Sequence, residues 1–102
     1  MQLKALLSKI PTVLVIGPTD REITSICHDS RRVQKNSLFV ALAGEKSDGN
    51  AYIDSAVERG AVAIVSEQEH PARRATQAVV HNAREALADL AAEFYGRPAL
   101  GL

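Results

Sequence analysis

Several things are scarce in this chain, and each scarcity removes a class of function. There is a single cysteine, Cys27. It has no partner for an internal disulfide and no neighbouring ligand at metal-binding spacing, which fits a reducing compartment. Aromatic residues make up 4% of the chain, too few for the stacking platforms that grip single-stranded nucleic acid. Charge of either sign is not in excess. Lys plus Arg number 12 and Asp plus Glu number 12, so the basic surplus of a nucleic-acid binder is missing. No apolar run approaches the roughly 18 residues that suggest a membrane span, and the short apolar stretch over residues 1–16 is broken by Pro11 without a small-residue cleavage site after it. Together these features point to a cytoplasmic protein with neither nucleic acid nor membrane as partner. The sequence also lacks both a GxxxxGK[ST] and a GxGxxG phosphate loop, and it has no internal repeat or low-complexity tract.

What is present suits an ordinary folded domain. The 102 residues are 46% hydrophobic and 24% charged, enough to build one core without staples. Leu3, Leu6, Leu7 and Ile10 recur at helical spacing up to Pro11. Thr12–Ile16 is apolar and β-branched, and Gly17-Pro18-Thr19-Asp20 is a turn. Ile23–His28 reads as a strand, with Ile23, Ser25 and Cys27 on one face and Thr24, Ile26 and His28 on the other. Ser37–Leu42 is a strand buried on both faces. A helix is expected from Asn50, a good N-cap, to Arg59, with Tyr52, Ile53, Ala56 and Val57 as its apolar stripe and Gly60 at its stop. Ala61–Ser66 is a second buried strand, so that strand, helix and strand form a right-handed parallel βαβ unit. Glu67–Arg74 is a charged surface loop and Thr76–Val80 a third short strand. Asn82–Tyr95 is the clearest helix, with Asn82 and Glu85 spaced as a capping box and Gly96 and Pro98 beyond its end. The expected fold class is α/β, a small, mixed and mainly parallel sheet with flanking helices.

Two polar loops flank the Ser37–Leu42 strand. Gly44–Asn50 leads into a helix start, where unpaired N–H groups attract anions. Lys46 adds a cation and Ser47 a hydroxyl, while Gly44 and Gly49 permit close backbone approach. The plainer reading is the solvated connection that every βαβ unit requires. In the other loop, Asp29 and Arg31 can pin the chain and leave Ser30 facing a ligand or water. His28, Asp29 and Ser30 do not suit a catalytic triad, because adjacent residues on an extended chain point apart. His28, His70 and His81 are too scattered for a metal site.

These loops carry a resemblance. The runs Asp29-Ser30-Arg31, Ser37–Leu42, Gly44-Glu45-Lys46-Ser47-Asp48-Gly49 and Ala56–Ala63 occur in order, and the sequence from His28 to Pro98 resembles the N-terminal domain of the Mur ligases. That family joins amino acids to the peptidoglycan precursor and uses ATP and Mg2+. Asn82–Ala88 and Phe94-Tyr95-Gly96-Arg97-Pro98 are similar to the members that add a diamino acid, meso-diaminopimelate or L-lysine. The sister members that add D-alanyl-D-alanine are the near alternative, and a stand-alone binding module is the distant one.

The resemblance implies a three-domain parent. Residues 1–98 would be the domain that recognises the UDP end of the UDP-N-acetylmuramoyl dipeptide substrate, and residues 99–102 the start of a connector to an ATP-binding central domain, followed by a C-terminal one. It implies nucleotide contacts at His28 (through backbone), Ser30, Glu45, Lys46 and Ser47, with Asp29, Arg31, Asp48, Gly49 and Asn50 supporting the loops. It implies no catalytic residue and no cofactor in this part. The chain departs from the family pattern at Asn36, where glycine is usual, and at Asn50, where histidine is usual. Asn36 should keep a left-handed turn, whereas an imidazole's ligand role at position 50 would be lost.

Overall fold

The computed structural model describes residues 1–42, 52–69 and 75–95. Five strands form one sheet: β1 (Leu14–Ile16), β2 (Ser25–Cys27), β3 (Ser37–Val40), β4 (Ala63–Ser66) and β5 (Thr76–Val79), in the spatial order β1-β5-β4-β3-β2. β2, β3, β4 and β5 run parallel, and β1 joins β5 antiparallel. The fold is therefore α/β with a mixed, mainly parallel sheet.

Alternation along the central strands divides the core in two. Leu38 and Val40 of β3 and Ala63 and Val65 of β4 face one side. There they meet Leu3 and Leu6 of α1 (Leu3–Leu7) and Ala83, Ala86 and Leu90 of α3 (Ala83–Tyr95). Phe39, Ala41 and Ile64 face the other side, against Ile53 and Ala56 of α2 (Ile53–Glu58) and Val33. Every residue of β3, β4 and β5 is buried. That is why β3 and β4 read as largely apolar runs rather than as alternating ones.

The ends of α2 and α3 follow local chemistry. Gly60 has φ +121°, and a Cβ there would sit 2.8 Å from the Lys35 Cα, so glycine is required where α2 turns into β4. At the start of α3, Asn82 Oδ1 accepts the Glu85 N–H at 3.1 Å. The Ala83 N–H is taken by Glu67 Oε2 at 2.9 Å. Glu67 follows β4, so it ties the strand's end to the helix. Asn36 has φ +66°, the left-handed geometry that asparagine tolerates.

Some expectations need correction. The first helix stops at Leu7, although Ile10 is still buried with it. The strand after the Gly17 turn covers only Ser25–Cys27. Ile23 lies in the same core as Ile26, not on the face of Cys27, because the chain has not yet settled into strand geometry at Ile23. α2 is described from Ile53, with Tyr52 at its cap position; Tyr52 is 45% exposed and stands outside the apolar stripe. Asn50, expected as that helix's cap, lies outside the described residues.

Candidate functional site

The register of β2 against β3 locates the first loop. Cys27 pairs with Phe39 in a parallel ladder, so the chain leaving β2 at His28 and the chain leaving β3 after Val40 depart from the same edge of the sheet. Open α/β sheets bind ligands outside the carboxyl ends of their strands.

The loop after β2 is built around one carboxylate. Asp29 Oδ1 accepts the Arg31 N–H at 3.0 Å and caps a 3-10 turn over Ser30–Arg32. The same carboxylate takes Arg31 Nε at 3.1 Å and the guanidinium's NH2 at 3.0 Å. This two-point fork is the geometry that arginine supplies and lysine cannot. The side-chain bond from Arg31, and next its backbone N–H, hold the Asp29 carboxyl well below the usual range, at about 2. The Arg31 guanidinium is held charged in return, chiefly by its hydrogen bond to Asp29, with Tyr52 a lesser contributor. Ser30 is half-buried and its carbonyl accepts the Val33 N–H at 3.4 Å. His28 is exposed.

The turn also touches α2. The two elements pack together, and Tyr52, the residue before α2, is close enough to Arg31 to act on its charge. The end of β3 therefore lies beside the end of β2, and α2 lies against the turn that follows β2. An open recess of about 420 Å³ lies along the turn, lined by Ser25–Cys27 and Arg31–Gln34. Glu45, Lys46, Ser47, Asp48, Gly49 and Asn50, expected at the site, lie outside the described residues.

The base of the turn is held by buried hydroxyls that the sequence pattern does not reveal. Ser37 is fully buried. Its Oγ accepts the Gln34 N–H at 2.9 Å and lies 2.6 Å from Ser25 Oγ. Burial raises the Cys27 thiol pKa, partly offset by a hydrogen bond with Ser37, and Cys27 packs against the core on the Phe39 side of the sheet.

The same stretch of chain matches known proteins. The family model described as "Mur ligase family, catalytic domain" matches residues 22–95. The chain belongs to the Mur ligase family. It is 43% identical over 99 residues to the UDP-N-acetylmuramoyl-L-alanyl-D-glutamate–2,6-diaminopimelate ligase of Syntrophomonas wolfei, covering 96% of this chain and 20% of that protein. Identity to the ligase of the same name from Parabacteroides distasonis is 44% over 100 residues, again 96% of this chain and 21% of the relative. Among solved structures, the D-alanyl-D-alanyl ligase of Acinetobacter baumannii superposes with a TM-score of 0.75 at 28% identity, over 88% of this chain and 20% of that one. The chain thus spans about a fifth of the length of the curated relatives it matches.

The Mur ligases are ATP-dependent. The sequence has no GxxxxGK[ST] loop to cradle the phosphates. Among the described residues no three His, Cys, Asp or Glu side chains group as a metal site. Among the described residues, too, no helix is long and apolar enough to cross a membrane.

Proposed function

We propose that this Mur ligase chain is the domain that binds the uridine diphosphate end of the UDP-N-acetylmuramoyl dipeptide in a diamino-acid-adding ligase. The observation that supports it most is the parallel pairing of β2 with β3, because the chain then leaves β2 for the Asp29-Ser30-Arg31 turn and leaves β3 at Ala41 from one edge of the sheet. On this reading the Ser30 hydroxyl and the backbone at His28 meet the donor and acceptor edge of uracil. Lys46, with the amides of Glu45 and Ser47, meets the diphosphate. Asp29 and Arg31 stiffen one loop; Asp48, Gly49 and Asn50 shape the other.

Such a domain contributes no catalytic group. It spends binding energy at the far end of the substrate so that the reacting carboxylate is held in place elsewhere in the parent enzyme. That parent would carry ATP and Mg2+ on a central domain reached through residues 99–102, and the dipeptide substrate and its other domains would be this domain's partners in the cytoplasm. The higher identity to diaminopimelate ligases favours the diamino-acid-adding type. The likeness to the Acinetobacter structure keeps the D-alanyl-D-alanine-adding type as the second reading.

Replacing Lys46 by alanine tests the placement of the phosphates. UDP binding should weaken about tenfold, the loss expected for one charge-assisted contact of roughly 1.5 kcal/mol, while uridine binding changes little. An equal loss for both ligands would remove Lys46 from the phosphate site.

A further inference from the structure

Among the described residues β2 is an edge strand, with β3 on one side and no strand on the other. Edge strands leave N–H and C=O groups unpaired, and natural proteins cover them. Here both groups of Ile26 are met by one side chain from the far end of the sequence. The Ile26 N–H donates to Tyr95 Oη at 3.3 Å, and the Tyr95 hydroxyl donates to the Ile26 carbonyl at 3.3 Å.

Tyr95 is the last residue of α3, and it is 61% exposed. Hydrophobic burial therefore does not account for its position. Its ring stands edge-on to Phe94, with centroids 4.8 Å apart at 81°, the geometry favoured by aromatic pairs. Phe94 packs against the α3-side core and anchors the pair. Ile26 is in turn followed at once by Cys27, His28 and the turn that Asp29 caps.

We propose that Tyr95 is a positioning residue for the nucleotide-binding corner. Its hydroxyl takes the place of a neighbouring strand, fixes the end of β2, and thereby sets where His28 and Ser30 leave the sheet. The proposal rests on the UDP reading of that corner. It also makes the corner sensitive to the last turn of α3, where Tyr95 stands.

The test is Tyr95→Phe, which keeps the ring and its contact with Phe94 and removes only the hydroxyl. Two readouts separate this inference from the reading on which it rests. Without ligand, amide hydrogen exchange at Ile26 should quicken about tenfold or more in the variant. In titrations with UDP, affinity should fall about three- to tenfold, whereas Ala86→Gly, which weakens α3 away from the strand edge, should leave affinity unchanged. Unchanged exchange at Ile26 would overturn the clamp. Faster exchange with unchanged UDP affinity would reduce Tyr95 to an edge cover and overturn the positioning role. If the wild-type chain failed to bind UDP, the inference would fall with the nucleotide reading, and the exchange result would show whether the clamp survives without it.

Discussion

The turn that holds Arg31 packs against the helix that Tyr52 opens, although twenty residues separate the two in the sequence. Arg31 lies in the turn after β2, and Tyr52 opens the helix after the β3 loop. This packing sets the start of α2 beside the turn after β2. The Asp29 fork keeps the Arg31 end of this contact in place.

That fork should be visible as a pH dependence. The Asp29 carboxyl sits at about 2 in the folded chain and near 3.9 in an unfolded one. A lowered folded pKa contributes stability that is present above about pH 4 and is lost as pH falls towards 2. Asp29→Asn should therefore lie below wild type in urea midpoint at pH 5, and the gap should close between pH 4 and 2. A gap that stayed constant across this range would show that the carboxylate's charge is not what stabilises the turn.

The turn's base rests on Ser37. Ser37→Ala leaves the Gln34 N–H and the Ser25 hydroxyl without their shared partner at a part-buried position. A loss of about 1–3 kcal/mol is expected by denaturant unfolding. A change within about 0.5 kcal/mol would mean that the turn relaxes to satisfy both groups in another way.

Two left-handed positions should respond in opposite ways. Gly60→Ala forces a side chain into φ +121° and against the Lys35 backbone, at a cost of about 1–3 kcal/mol for strain with the clash added. Asn36→Gly, at φ +66° with an asparagine already in place, should be close to neutral, while Asn36→Ala should cost roughly 1–2 kcal/mol. Urea midpoints of the three variants check the order.

Leu6 lies outside the stretch matched by the family model, yet it is fully buried between α1 and the sheet. A five-residue helix has no stability of its own, so α1 is held by that burial. Leu6→Ala should cost about 2–5 kcal/mol, measured by thermal or urea unfolding. A cost under about 1 kcal/mol would mean that residues before Ile23 are an appendage.

The sheet and its parallel core were legible in the sequence because β3 and β4 are short, largely apolar runs, and because Gly60 and Asn82 mark helix ends by their own chemistry. Residue pattern was less informative wherever a role depends on a distant partner. Tyr52 fits a helical stripe by spacing but sits at the cap, where it is 45% exposed. Ile23 fits a strand's alternation but precedes the strand. The bonds of Tyr95 to Ile26, of Glu67 to the start of α3, and of Ser37 to Ser25 join separate elements, and periodicity carries no signal for them. At the site, the Asp29–Arg31 pairing could be anticipated from residue type and spacing, whereas the packing of α2 against the turn joins segments distant in sequence.

The most direct test of the nucleotide reading is a UDP titration of the chain followed by backbone amide chemical shifts. Binding is expected on the order of 0.1–1 mM, a free energy of only about 4–5.5 kcal/mol, because most contacts to the full substrate lie elsewhere. The shift changes should centre on His28–Arg31 and Glu45–Ser47. Saturable binding whose shifts fall elsewhere, or no binding at several millimolar UDP, would refute the nucleotide role.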